Sequence, residues 1–77
     1  MSPSQVKHLV QMANQIALNM AAWGDQDVVA EKTRDHMSRF WTPAMREQLA
    51  AYQREGGEGL SPAVVDALQS EGMTGQD

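Results

Sequence analysis

Hydrophobic residues recur along the chain at the spacing of amphipathic helices, and this pattern predicts an all-α fold. From about Pro3 to Trp23 an apolar residue returns to one face at each helical turn, in a stripe made of Val6, Leu9, Val10, Ala13, Ile16, Ala17 and Met20. A second helix, from about Val28 to Trp41, places on one face Val29, Thr33, His36, Met37 and Phe40. Its other face is charged, and Asp35 and Arg39 are spaced for an ion pair.

The same periodicity continues into the second half of the chain. A third helix, from about Pro43 to Arg54, carries a stripe of Met45, Leu49 and Tyr52. A short fourth helix, from about Pro62 to Ser70, carries Val64, Val65 and Leu68. We therefore expect three principal helices and one short C-terminal helix, forming a single domain over residues 1–71 with a disordered tail over residues 72–77.

Proline marks three of the predicted helix starts. Each proline follows a hydroxyl residue, in the pairs Ser2–Pro3, Thr42–Pro43 and Ser61–Pro62. A hydroxyl can accept a hydrogen bond from a free N–H of the first turn, and proline at the first helical position loses no helical bond. Met1 and Val6 are also spaced as a hydrophobic staple around the first start. Between the first two helices, Gly24 predicts an end and the Asp25–Asp27 segment predicts a cap.

The composition indicates a thin hydrophobic core. The chain has 77 residues, and its apolar residues include ten Ala and six Met but only twelve Val, Ile and Leu. Alanine buries little area, and methionine fits many packing arrangements without specifying one. We therefore expect a marginally stable monomer that gains stability from a partner, or from a homo-oligomer when isolated.

Charge and hydropathy exclude two classes of partner. The formal charge of −4 argues against nucleic-acid binding, which needs a basic surface to neutralise phosphates. The longest uncharged run, His8–Gly24, contains four amide side chains, which are costly to bury in hydrocarbon, so we do not expect it to span a membrane. No secretory leader is evident. These features predict a cytoplasmic protein.

We expect no catalytic, cofactor-binding or metal-binding residue in this chain. It holds no cysteine, and neither His8 nor His36 has a second histidine within helical reach. The carboxylates lie outside apolar runs that would raise a pKa. The segment Gly56–Gly59 lacks the preceding strand and the lysine of a phosphate-binding loop, so a helix end and a tight turn account for its glycines.

Two features instead indicate a protein-binding surface. One face of the first helix is rich in uncharged amides, whereas a solvated face usually carries Glu and Lys; a neutral solvated surface is the alternative. The other feature is the corner Trp41–Arg46, where an aromatic ring and an arginine lie on either side of a turn that proline makes rigid. The alternative for this corner is that Trp41 simply caps the core. The residues expected to contact a partner are Asn14, Gln15, Arg39, Trp41 and Arg46.

Three segments, in order and over most of the chain, resemble the small delta subunit of NAD-dependent, molybdenum-containing formate dehydrogenases. They are Met12–Ile16, His36–Arg46 and Gly56–Pro62. The chain departs from the expected pattern after the first segment, where Leu18, Asn19 and Met20 stand in place of bulky aromatic residues.

The resemblance implies a noncatalytic accessory subunit of a soluble cytoplasmic complex that oxidises formate to carbon dioxide and reduces NAD. In such complexes the large catalytic subunit holds molybdopterin and iron–sulfur clusters, other subunits hold flavin and further clusters, and the delta chain supports assembly or stability without a cofactor of its own. Two alternatives remain: a maturation factor that binds the apo catalytic subunit transiently, and an unrelated, self-associating regulatory helical protein.

Overall fold

The computed structural model describes residues 3–75, and within that range every regular element is helical, which confirms the all-α prediction. The bounds of the helices are α1 (Pro3–Met20), a short 3₁₀ turn (Ala21–Trp23), α2 (Gln26–Phe40), α3 (Pro43–Arg54) and α4 (Pro62–Gly75). The predicted cap at Ser2 and the staple at Met1 lie outside the described residues. No helix of the described residues is both long enough and apolar enough to cross a membrane.

The predicted caps position the starts of α2, α3 and α4. Asp25 accepts a hydrogen bond from Val28 N at 3.2 Å. Because this cap precedes Gln26, α2 begins two residues earlier than its hydrophobic pattern predicts. The hydroxyl of Thr42 accepts from Met45 N at 3.2 Å, and α3 has the predicted bounds. Ser61 Oγ lies 3.4 Å from Val64 N, at the start of α4.

The ends of α1 and α4 differ from those that the hydrophobic pattern indicates. The regular part of α1 ends at Met20, and the chain tightens into the 3₁₀ turn before reaching Trp23. A Cβ at Gly24 would lie 3.0 Å from Val28 Cβ, so the close approach of the chain to α2 favours glycine there.

The fourth helix continues to Gly75, so residues 72–75 of the expected tail are helical. Glycine within a helix costs about 1 kcal/mol relative to alanine but keeps its backbone hydrogen bonds, and Gly72 therefore does not end the helix. The rest of the expected tail, residues 76–77, lies outside the described residues.

The core lies where α1, α2 and α4 meet, with α3 closing one end. Its most completely buried side chains are Ala13, Thr33, Met37, Leu49 and Val64. The predicted stripe of α1 is buried at its centre, by Leu9, Ala13 and Ala17, and half-buried along both edges. Alanines at the centre of α1 let neighbouring helices approach closely but bury little area, and the edges of the stripe stay partly open.

Candidate partner-binding surface

The corner between α2 and α3 places two aromatic side chains in opposite environments. Helix α2 ends at Phe40, and Trp41 has an extended backbone with φ −95° and ψ 144°. Its N–H donates to the carbonyl of Met37 at 2.9 Å. Trp41 is 6% exposed and belongs to the core, whereas Phe40 is 72% exposed.

This arrangement differs from the predicted stripe of α2, in which Phe40 shares the apolar face with Thr33 and Met37. Phe40 lies on the same side of α2 as the buried Thr33, as its position in the stripe predicts. However, Phe40 is the last residue of the helix, beyond the part of α2 that packs against the core. Trp41 lies beyond the helix end on an extended backbone, so its side chain does not follow the helical periodicity of the stripe. Capping of the core by Trp41, the alternative considered above, is the observed arrangement.

Beside this corner lies an open, mainly apolar groove of about 480 Å³. It runs between α1 and the junction of α2 with α3, and its lining consists of Gln11, Met12, Gln15, Ile16, His36, Phe40, Trp41 and Met45. The rings of His36 and Phe40, one helical turn apart, pack at 4.7 Å between centroids and tilt by 41°. The groove thus combines thioether, aliphatic and aromatic groups with amides at its margin.

The structure brings two of the predicted site residues together at this groove. Gln15 lies on its α1 wall, exposed, and donates from Nε2 to the Asn19 side-chain oxygen at 3.2 Å. Trp41 lies on the other side.

Arg39 and Arg46 lie near the groove without lining it. Arg39 precedes Phe40 and forms the predicted ion pair with Asp35, with Nε 3.2 Å from the carboxylate. Arg46 follows Met45, is half-buried, and takes part in interactions within the chain.

Asn14 lies on the other side of α1, in contact with the loop between α3 and α4. Its Nδ2 donates to the carbonyl of Gly59 at 2.8 Å, and its Oδ1 accepts from Ser61 N at 2.9 Å. The Tyr52 hydroxyl adds a third bond, to the carbonyl of Glu58 at 2.6 Å. Asn14 therefore links the first and third segments of the resemblance, Met12–Ile16 and Gly56–Pro62, within the fold.

The glycines of this loop have backbone conformations that favour glycine. Gly56, Gly57 and Gly59 have φ values of 135°, 61° and 89°. Gly57 N donates to the Tyr52 carbonyl at 3.0 Å and completes the end of α3. A helix end and a tight turn account for these glycines, as predicted.

Sequence reasoning missed six residues that line the groove: Gln11, Met12, Ile16, His36, Phe40 and Met45. A signal for four of them was present, because Met12 and Ile16 are one turn apart at the edge of the α1 stripe, as are His36 and Phe40 at the edge of the α2 stripe. Among the described residues, no cluster of three or more His, Asp or Glu side chains is arranged to hold a metal ion.

The sequence from residue 8 to residue 68 matches the family model described as the NADH-dependent formate dehydrogenase delta subunit FdsD. The chain belongs to this family. The match includes all three segments of the resemblance, the groove and the Asn14 contact. Neither the curated proteins nor the solved structures contain a significant match to the chain.

Proposed function

We propose that this member of the delta-subunit family is a noncatalytic accessory subunit that binds the large catalytic subunit of a cytoplasmic formate dehydrogenase and supports its assembly or stability. The proposal rests on the family match, which covers residues 8–68. The partner subunits, not this chain, would hold the molybdopterin, the iron–sulfur clusters and the flavin, as the resemblance implies.

The groove supports a role in binding another protein. Among the described residues that line it, His36 is the one acid–base side chain, and general acid–base chemistry on a substrate usually needs a second positioned group. Methionine and aromatic side chains, by contrast, are enriched where proteins bind each other. An exposed phenylalanine beside a half-open apolar groove is a surface that a partner subunit can cover.

The proposed contact surface is the groove together with the Trp41–Arg46 corner. Gln15, Arg39, Trp41 and Arg46 fall within or beside it and remain candidate contacts. The side-chain amide of Asn14 forms hydrogen bonds within the chain, to Gly59 and Ser61. Asn14 would therefore affect partner binding indirectly, by holding the loop between α3 and α4 in place.

Isolation of the native complex, followed by size separation and mass spectrometry, tests this function. An accessory subunit copurifies with the active enzyme in stoichiometric amount. A maturation factor would copurify in substoichiometric amount and only with catalytic subunit that lacks its cofactor, and a regulatory protein would migrate as an oligomer alone.

The proposal also requires that the purified chain show no formate-dependent reduction of NAD. Turnover by the chain alone, lost on substitution of His36, would contradict the noncatalytic role.

A further inference from the structure

The sulfur of this protein is all in methionine side chains. The chain contains six Met and no Cys. Where thiols are absent, the thioether of methionine is the side-chain group that peroxide oxidises most readily, to methionine sulfoxide. Peroxide must reach the sulfur atom to react with it, so the exposure of each methionine in the fold predicts which of them react.

Two methionines line the open groove, whereas a third lies in the core. Met12 on α1 and Met45 on α3 are half-buried and line the groove from its two sides. Met37 on α2 is 1% exposed and belongs to the core cluster. The groove, at about 480 Å³, is far larger than a molecule of hydrogen peroxide. Peroxide can therefore reach the thioethers of the groove in the folded chain, but not the thioether of the core.

The backbone at both groove methionines is held independently of their sulfur atoms. Met45 N donates to the Thr42 hydroxyl at 3.2 Å, so Met45 lies in the capped first turn of α3. Met12 lies within the regular part of α1, beside the fully buried Ala13 that packs this helix against the core. A change confined to either sulfur can thus alter the groove without unfolding the helix that carries it.

We propose that Met12 and Met45 form a peroxide-sensitive site, at which oxidation makes the groove polar and weakens binding to the catalytic subunit. In each reaction a lone pair of the sulfur attacks one oxygen of hydrogen peroxide, and the O–O bond breaks. The sulfur keeps that oxygen as a sulfoxide, and the other oxygen leaves as hydroxide and takes up the released proton to form water. The sulfur loses two electrons, which the peroxide gains.

The effect on binding rests on the proposed function, whereas the reactivity of the two sulfur atoms depends only on the fold. A sulfoxide oxygen is a polar acceptor, and an apolar surface that covered the groove would bury it without a hydrogen bond, which is unfavourable. Methionine sulfoxide reductases return the sulfoxide to the thioether. The site can therefore act as a reversible switch on the contact surface.

The first measurement is the rate of oxidation at each methionine of the full chain in hydrogen peroxide, followed by peptide mass spectrometry. In the folded chain, we expect Met12 and Met45 to react at least about tenfold faster than Met37, because the core must open before peroxide reaches Met37. In concentrated urea, which unfolds the chain, the three rates should become similar. Equal rates in the folded chain would overturn the site.

The second measurement is binding of the peroxide-treated chain to the isolated catalytic subunit, which is added only after catalase has removed the peroxide. We expect treatment to weaken binding by the wild type about tenfold or more, because the groove then carries two sulfoxides. The double variant Met12→Leu with Met45→Leu should bind equally well before and after treatment, since leucine is similar in volume and is not oxidised.

Met20→Leu is the matched control. Met20 is half-buried at the end of α1 and does not line the groove. This variant keeps both groove methionines, so treatment should weaken its binding as much as it weakens that of the wild type. Binding by Met20→Leu that resists treatment would assign the sensitivity to the end of α1 and overturn the proposal.

The outcomes separate this proposal from the proposed function. An equal loss of binding by the treated double variant and the treated wild type would overturn the switch and leave the accessory role standing. A loss of helical content in the treated wild type, measured by circular dichroism, would also overturn it, because oxidation would then act by unfolding. If the untreated wild type does not bind, the accessory role fails, and the oxidation rates alone decide whether the two methionines are the reactive site.

Discussion

The two sides of α1 make different contacts, although both sides contain residues of the segment that resembles the family. On one side, Asn14 closes the fold by bonding the Gly59 carbonyl and the Ser61 N–H. On the other side, Gln15 and Ile16 border an open groove. Adjacent residues on a helix point about 100° apart, so a motif can supply an internal contact with one residue and a free surface with the next. The first side should respond to mutation through stability, and the second through binding.

The largest effect on stability is expected at Trp41, which is part of the groove wall and of the core. Trp41→Ala should destabilise the protein by about 3–5 kcal/mol, because it removes a buried aromatic ring and leaves a cavity. For a domain this small, that loss is comparable with its whole stability. Urea or thermal unfolding followed by circular dichroism measures it, and a loss below about 1 kcal/mol would show that the ring is not a core residue in solution.

A smaller effect is expected at Asn14. Asn14→Ala removes two hydrogen bonds and leaves a backbone N–H at the part-buried Ser61 without its partner, so we expect a loss of about 1–3 kcal/mol. The Ser61 amide should also exchange its hydrogen faster. Gln15→Ala is the matched control, since Gln15 bonds only to exposed Asn19 among the described contacts, and its effect should stay within about 0.5 kcal/mol. Equal losses for both variants would remove the distinction between the two sides.

The smallest effect is expected at the Arg39–Asp35 pair. Arg39→Ala should cost about 0.3–0.5 kcal/mol of helix stability, since exposed pairs one turn apart are weak. The double variant with Asp35→Ala separates the pair energy from the loss of each side chain. A coupling energy above about 1 kcal/mol would contradict this expectation for an exposed pair.

Local chemistry was sufficient to predict most of the fold. The caps at Asp25, Thr42 and Ser61 act within one turn of their own position, so nearby residues determine them. The end of α1 was harder to predict, because a helix and a 3₁₀ turn differ little in local preference. The end of α4 was missed because glycine weakens a helix without removing a hydrogen bond.

The candidate site depended on longer-range effects. Trp41 lies in the core and Phe40 outside it because the helix ends one residue earlier than predicted, and boundaries are the least certain part of a helical pattern. The bond from Asn14 spans 45 residues to Gly59, and no periodicity along the chain encodes such a contact. The groove itself forms from stripe edges of three helices, whose relative placement only the packed structure supplies.

We propose that the groove beside Phe40 binds the catalytic subunit. Phe40 and Leu18 provide a matched pair, because both are large and exposed, at 72% and 67%, but only Phe40 lines the groove. Both alanine variants should leave the stability within about 0.5 kcal/mol of the wild type, as expected for exposed positions.

The deciding measurement is the dissociation constant of each variant for the isolated catalytic subunit, by calorimetry at 0.5 M salt, where apolar contacts dominate. Phe40→Ala should weaken binding by about 1–3 kcal/mol, roughly tenfold or more, and Leu18→Ala should bind as the wild type does. Wild-type affinity in Phe40→Ala, or an equal loss in both variants, would contradict the assignment of the groove as the docking surface.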